Sequence, residues 1–223
     1  MKVSVVVPVL NEEAGLPDLL AHLQTLACHG AEVMFVDGGS TDTTVALITQ
    51  AGFNAISTNR GRAHQMNAGV AHTSGEVLLF LHSDTRLPEG WWQHVVTRLQ
   101  GPTCWGRFDV RISGRSTMLR VVAAMMNWRS RLSGIATGDQ AMFMTRQAFA
   151  SVGGFVEQPL MEDIEMSRRL KRLSRPACLA HKVTTSGRRW ETRGVWATIF
   201  LMWRLRWAYW RGQPASQLAK AYL

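Results

Sequence analysis

His82, Ser83 and Asp84 close an apolar run, and side chains of these types ligate metal ions or hydrogen-bond ligands. The run, Val77 to Leu81, has the character of a strand buried on both faces, as at the centre of a parallel sheet. In open α/β sheets ligands bind outside the carboxyl ends of the strands, so Asp84 stands where chemistry is expected. One acid after one strand is equally well explained as turn chemistry. Three further runs end in the same way. Lys2 to Val9 passes through Pro8 to Asn11 and Glu12, and Glu32 to Val36 ends in Asp37-Gly-Gly-Ser-Thr-Asp42. Asn54 to Ser57 leads into Asn59-Arg60-Gly-Arg62-Ala-His-Gln-Met-Asn67. Four strands thereby deliver amide, carboxylate and guanidinium groups to one edge, which turn chemistry explains poorly as a set.

The elements between these strands must position them. Leu16, Leu19, Leu20, Leu23 and Leu26 recur at helical spacing over Glu13 to Ala27, with Asn11 as the expected N-cap. A second helix is expected over Thr43 to Gln50, and the Gly38-Gly39 turn before it permits close approach of backbone to ligand. The new helix N-terminus favours negative charge. Pro88 is expected to open another helix at its favoured first position. Strand–helix alternation of this kind implies a mostly parallel, right-handed βαβ sheet.

Beyond Gln100 the pattern changes. Cys104 to Ile112 alternates apolar and polar residues, as a half-exposed strand does. Thr117 to Arg131 is helical, with Met118, Leu119, Val122, Met125 and Met126 as its apolar set. Gly138-Asp139-Gln140 opens an expected strand running to Met144. Leu160 to Leu170 begins a helix with Glu162, Asp163 and Glu165 in its first turns, a placement the helix dipole also favours.

Composition excludes several classes. With 46% hydrophobic and 18% charged residues in 223, the chain is globular and has room for one substantial α/β core. Cys28, Cys104 and Cys178 show no metal-ligand spacing and fit a reducing compartment. The amino terminus reads as a first strand and not a signal peptide, and no apolar run approaches the roughly 20 residues that span a bilayer. A net charge of +9 points to an anionic partner, whether nucleic acid, anionic lipid or phosphorylated substrate.

Taken in order, these pieces resemble the family 2 glycosyltransferases, inverting enzymes of the GT-A fold, from Val3 to about Leu173. Val5-Val-Val-Pro8-Val-Leu-Asn11-Glu12 is similar to that family's opening strand, which holds the nucleotide. Asp37-Gly-Gly-Ser-Thr-Asp42 resembles its Asp-Asp-Gly-Ser-x-Asp turn, which contacts base and ribose. His82-Ser83-Asp84 stands where the family has its metal-binding Asp-x-Asp, and Glu162-Asp163 matches the Glu-Asp pair whose aspartate is the acceptor base. The resemblance implies an α/β fold: a Rossmann-like nucleotide-binding half, a mostly parallel central sheet flanked by helices, and a C-terminal amphipathic helical tail. It divides the chain into a glycosyltransferase domain, 1–187, and a basic, Trp-rich tail, 188–223. Gly61-Arg62-Ala-His-Gln-Met-Asn67 and Gly187-Arg-Arg-Trp190 resemble a small bacterial subfamily, some members of which are associated with arsenosugar biosynthesis.

The resemblance assigns roles residue by residue. Asp163 is the expected base, with Glu162 second. Pro8, Asn11, Glu12, Asp37, Arg60, Arg62, Asn67, Ser83 and Asp84 are the expected donor contacts, and Asp139 and Gln140 belong to the acceptor or sugar region. Asp84 is the expected ligand of a Mn²⁺ or Mg²⁺ ion; His82 replaces the motif's first acid and is a second candidate ligand. Mg²⁺ binds through one or two carboxylates plus substrate phosphates, so a single carboxylate meets the need. The chemistry agrees, since a leaving diphosphate needs a metal or guanidinium and an attacking hydroxyl needs a base. The donor is then a nucleotide-diphospho-sugar, and the acceptor a small molecule or a lipid-linked one. Other readings are a nucleotidyltransferase, a non-catalytic nucleotide-sugar-binding protein, and a basic nucleic-acid-binding module. The last lacks any recognised binding motif, and no nucleic-acid partner is expected.

The tail carries its own signal. At about 100° per residue, Trp196, Phe200, Trp203, Trp207 and Trp210 fall within a sector of roughly 80°. Arg193, Arg204, Arg206 and Arg211 border that sector. Such a face suits a membrane interface, or else packs on the domain or another subunit. The balance of arginines favours peripheral contact between Trp196 and Arg211 and a membrane. A cytoplasmic protein, peripheral on the inner face of the cytoplasmic membrane, is the expected location.

Overall fold

A computed structural model describes residues 1–27 and 30–222, so Cys28 lies outside the described residues. Cys104 and Cys178 are free thiols. The first half follows the sequence pattern. Strands β1 (Val3–Val9), β2 (Glu32–Asp37), β3 (Asn54–Ser57) and β4 (Val77–Phe80) alternate with helices α1 (Leu16–Ala27), α2 (Thr44–Gln50) and α3 (Arg62–Ala71). All three pairings among these strands are parallel, in the order β3-β2-β1-β4. Pro8 pairs with Val36 beyond the end of β4, where its missing N–H leaves no bond unmade on that side.

The sheet is buried on both faces. Along β1, Val3, Val5, Val7 and Val9 join the core beneath α1, and Val6 joins the core beneath α3. Gly69 lets α3 close on the sheet, because a Cβ there would stand 2.4 Å from Val6.

The second half extends the sheet with mixed strands: β5 (Thr85–Arg86), β6 (Trp105–Ser113), β7 (Phe143–Thr145) and β8 (Ala177–Ser186), in the order β4-β7-β6-β8-β5. Strand β7 runs antiparallel to both β4 and β6. Helices α4 (Trp91–Leu99), α5 (Met118–Ser133), α6 (Arg146–Ser151) and α7 (Glu162–Leu170) intervene, with a 3₁₀ turn at Gly138–Gln140. The terminal helices are α8 (Arg188–Arg193), α9 (Val195–Trp210) and α10 (Ala215–Tyr222).

Four local expectations need correction. Asn11 is not the cap of α1, which starts at Leu16; its Oδ1 instead accepts the Thr41 N–H at 2.9 Å. Pro88 does not open α4, which begins at Trp91 after a turn through Gly90. The Gly138–Met144 strand is a 3₁₀ turn followed by a strand from Phe143. Finally, β6 is not half-exposed. Its polar residues Arg107 and Asp109 are buried as an ion pair, and Arg131 of α5 closes on Asp109 at 2.7 Å. Alternation was present, but α5 covers the polar face.

Candidate active site

The donor edge is assembled from local turns. Asp37 is buried at the end of β2, where its carboxylate accepts the Gly39 N–H at 2.9 Å and the Ser40 N–H at 3.0 Å. That turn is latched to the end of β1: Asn11 N–H donates to Ser40 Oγ, and Glu12 N–H to Thr44 Oγ1, each at 2.9 Å. Glu13 accepts from the Thr43 hydroxyl at 2.9 Å, and Asp42, ahead of α2, accepts the Thr44 N–H at 3.0 Å. Hydrogen bonding by Thr44 lowers the Asp42 pKa. Glu12 reaches the end of β4, where Ser83 Oγ donates to it at 2.9 Å.

Asp84 is exposed at the β4 end. Its Oδ1 takes the Thr85 and Thr185 hydroxyls at 3.2 and 3.3 Å, while Oδ2 accepts no hydrogen bond among the described residues. A carboxylate oxygen is the hard donor that Mn²⁺ or Mg²⁺ prefers. His82 is otherwise engaged. Its Nδ1 lies 3.4 Å from Asp139 Oδ1, and its ring packs so closely on Gly138 that a Cβ there would meet it at 2.3 Å. No cluster of three or more metal-ligating His, Cys, Asp or Glu side chains occurs among the described residues.

The second set of acids is brought in by tertiary packing. Asp163 accepts the Gly138 N–H at 2.9 Å and the Ile164 N–H at 2.7 Å, which ties α7 to the 3₁₀ turn. Glu162 is buried, and burial, then the charge of Asp163, raises its pKa. Burial alone would raise the Asp139 carboxyl as well. The hydrogen bond and charge of His82, then Arg62, outweigh it and lower the pKa. Burial would lower the pKa of Arg62, and the charge of Glu162 foremost raises it. Solvent reaches both groups: Arg62 is exposed, as is 44% of the Asp139 side chain. Arg60 is exposed nearby in sequence, ahead of α3.

Two expected contacts have other tasks. Asn67 clamps the Phe155 backbone, donating to its carbonyl and accepting its N–H, both at 2.9 Å. Gln140 is fully buried; its Oε1 accepts the Thr137 N–H at 3.2 Å and its Nε2 lies 3.4 Å from Asn127 Oδ1. In the same Gly61–Asn67 segment, Gln65 donates at 2.8 Å to the carbonyls of Val9 and Val36, tying β1 to β2.

Backbone strain marks the same places. The described non-glycine residues with positive φ are Asn11, Ala141 and Met161, and each flanks one polar segment of the cleft. Such conformations cost of order 1–3 kcal/mol and persist where the surroundings enforce them. A surface groove of about 470 Å³, lined in part by His94, Cys178 and His181, lies elsewhere. It sits at the other end of β8 from Thr185, which touches Asp84. The groove is therefore separate from these acids.

Sequence reasoning did not find the basic wall facing Asp163. Arg206 of α9 turns inward, towards Asp163 and Asp139, and does not border the aromatic stripe. Arg129 of α5 lies beside it. Arg189 and Tyr222 close the wall: the Arg189 guanidinium hydrogen-bonds the Tyr222 hydroxyl and lies 3.8 Å over its ring. Periodicity alone offers no signal for an arginine that turns under its own helix.

A parallel 3-2-1-4 half with acids at its strand ends, joined to a mixed half that supplies a Glu-Asp helix, is the GT-A fold. The chain belongs to glycosyl transferase family 2, whose model matches residues 4–152. It is 26% identical over 226 residues to a beta-monoglucosyldiacylglycerol synthase of Synechocystis, covering 88% of this chain and 47% of that protein. It is 33% identical over 99 residues to an undecaprenyl-phosphate 4-deoxy-4-formamido-L-arabinose transferase of Salmonella paratyphi B, covering 39% of this chain and 30% of that one. The chain thus spans half or less of the length of these relatives. Among solved structures, a Pyrobaculum calidifontis mannosyltransferase in complex with GDP-Man and Mn²⁺ matches 99% of this chain and 69% of its own. The TM-score is 0.65 at 20% identity.

Proposed function

We propose that the protein is an inverting glycosyltransferase that moves a sugar from a nucleotide-diphospho-sugar to an acceptor hydroxyl by metal-assisted single displacement. One observation carries this reading: Asp37 and Asp84 end strands on either side of β1, and Asp163, anchored on Gly138, joins them through the His82–Asp139 contact. Asp37 with Asn11 and Glu12 receives base and ribose. Arg60 and Arg62 face the diphosphate. Asp84 would hold the divalent ion, which would offset the charge developing on the leaving diphosphate. Asp163 takes the proton of the acceptor hydroxyl as its oxygen bonds to the anomeric carbon and the bond to phosphate breaks. No enzyme nucleophile is needed, and the anomer inverts.

The second half of the reading concerns location. Eleven large apolar side chains are exposed among the described residues, and nine of them lie on α5 and α9. Trp196, Phe200, Trp203, Trp207 and Trp210 are 57–80% exposed, and Val121, Met125, Trp128 and Leu132 are 47–69% exposed. The aromatic stripe therefore does not pack on the domain; Leu205 and Ala208, on the other side of α9, do so against Leu160, Met161 and Leu218. Neither helix contains an acid, and Arg204 and Arg211 stand exposed beside the stripe. No described helix is long and apolar enough to cross a membrane. An anionic membrane face, with residues 188–223 as the docking tail, fits apolar and cationic groups arranged in this way. A lipid-linked acceptor follows naturally from that position. Gly61–Asn67 and Gly187–Trp190 further support the small bacterial subfamily associated with arsenosugar biosynthesis.

A thermal-shift screen of UDP- and GDP-sugars with Mn²⁺ tests the first half, since a ligand specific to the folded state raises the melting temperature. Asp37→Ala and Asp84→Ala are expected to remove the shift, the latter mainly in its metal-dependent part. A protein that responds to no nucleotide-sugar, or variants that respond like the parent, would overturn it.

A further inference from the structure

The acceptor side of the cleft contains an unusual group of cations. Arg129 projects from α5 and Arg206 from α9, and both face Asp163. Neither is tied down as a structural arginine normally is. The buried Nε and Nη2 of Arg129 and the buried Nε of Arg206 have no hydrogen-bond partner. Contrast Arg146, whose Nε, Nη1 and Nη2 all donate, at 2.7, 3.0 and 3.1 Å, to the ends of the β4 and α3 loops. Contrast also Arg131, which forms a two-pronged pair with Asp109 at 2.7 and 2.8 Å.

Buried donors without partners are costly, and natural proteins keep few of them. Burial, then the charge of Arg206, lowers the Arg129 pKa to about 10, the behaviour of a cation short of counter-charge. Two like charges set side by side at a catalytic cleft are held there at the expense of stability. A ligand anion offsets that expense. The carboxylates nearby attract both arginines but hydrogen-bond neither among the described residues: Asp163 accepts from Gly138 and Ile164, and Asp139 contacts His82.

We propose that Arg129 and Arg206 form an anion subsite that takes a phosphate group on the acceptor and so presents the acceptor's hydroxyl to Asp163. This rests on the glycosyltransferase reading and narrows it to phosphorylated acceptors. Guanidinium groups suit phosphate because they donate in pairs along a fixed fork. The site's address also matters: α5 and α9 are the two helices whose outer faces carry the exposed apolar side chains. A phosphate held between them lies at the inner side of the face proposed to meet the lipid.

The test uses the full chain with UDP and Mn²⁺ present to occupy the donor site, and probes it with glycerol 3-phosphate and with lysophosphatidic acid, its acylated counterpart. Glycerol and monoacylglycerol serve as phosphate-free controls. Both phosphates are expected to bind and both controls not to. Arg129→Gln and Arg206→Gln are each expected to weaken phosphate binding by about tenfold or more, the scale of a lost charged contact, and to change UDP affinity less than twofold. Their melting temperatures should hold or rise, since an uncompensated buried charge has been removed. Preference for lysophosphatidic acid identifies a lipid source of the phosphate, and equal affinity identifies a soluble one.

Phosphate binding unchanged in both variants overturns the proposal. So does a parallel loss of UDP affinity, which would assign the arginines to the donor. Lower melting temperatures with phosphate affinity intact would assign them to the fold. Failure of UDP itself to bind is a separate outcome, counting against the glycosyltransferase reading.

Discussion

The donor half and the acceptor half of this cleft are built by opposite means. At the donor edge each polar group is held by its own turn or by the adjoining strand's turn: Asp37 by Gly39 and Ser40, Asn11 by Thr41, Glu12 by Ser83. On the acceptor side, His82, Asp139, Asp163 and Arg206 come from four separate segments and meet only because the chain has folded. A local site survives small shifts elsewhere. A site made by packing depends on every element that packs, including the tail.

The largest effect should come from cutting that dependence. Ending the chain after Gly187 removes Trp190, Val195 and Ile199 from the main core and Leu205, Ala208 and Leu218 from the cluster against Leu160 and Met161. Large buried side chains cost on the order of 2–5 kcal/mol each when truncated, against a total stability of roughly 5–15 kcal/mol. The shortened protein is expected to lose its cooperative melt in circular dichroism. A sharp transition retained near the parent's temperature would show that residues 1–187 fold without the tail.

The next effect is chemical. Asp163→Asn keeps the side chain's size and one acceptor oxygen for Gly138, at the expense of the Ile164 bond, and removes the proton acceptor. Turnover should fall about 10²- to 10⁴-fold, the range of general-base catalysis, while UDP affinity stays within twofold. Loss of UDP affinity alongside turnover would mean the two halves are not separable, and unchanged turnover would remove Asp163 from the role.

This contrast also explains what could be read from the amino-acid sequence. Strand ends are local, so Val77–Leu81 followed by Asp84, and Glu32–Val36 followed by Asp37, announced themselves. The errors came from polar residues whose partners are distant. Asn11 has the type and place of an N-cap, but Thr41 claims its side chain. Arg107 and Asp109 look like the wet face of a strand, but they pair beneath α5. Arg206 sits at the border of an aromatic stripe on a helical wheel, but the cleft's acids draw it inward. Asn67 and Gln140 have ligand-like amides, and the backbone of Phe155 and Thr137 occupies them. In each case residue type was informative and the partner was not, because no periodicity encodes a tertiary contact.

A smaller effect bears on the outer faces. Trp203→Ala with Trp207→Ala removes two side chains that are 57% and 60% exposed. Surface changes of this kind usually alter stability by less than about 0.5 kcal/mol each, so the melting temperature should barely move. Sedimentation with anionic vesicles at low salt should drop, and salt should weaken what remains. Equal sedimentation of parent and variant would separate α9 from the membrane. A lower melting temperature would instead show that the stripe packs against protein.

The smallest effect is a pH dependence inside the acceptor half. Burial, then the charge of Asp163, raises the Glu162 pKa above its ordinary value of 4.5, with the charge of Arg62 opposing. A carboxyl whose pKa is raised by folding favours the folded state most when it is protonated. That contribution is complete below the unfolded pKa and is lost as pH rises through the folded one. Above the unfolded pKa the wild-type protein therefore loses stability, because the unfolded chain releases this proton more readily than the folded one. Glu162→Gln should melt higher than wild type at about pH 8, with the gap closing towards about pH 3, below the unfolded pKa, where Glu162 is protonated in both states. Asp37, held within its own turn at the donor edge, offers the control, since Asp37→Asn leaves one acceptor oxygen where two serve Gly39 and Ser40 and should lower the melting temperature at pH 8. If Glu162→Gln also melts lower at pH 8, Arg62 compensates the Glu162 charge in full. The acceptor-side acids would then be held as securely as the donor-side one.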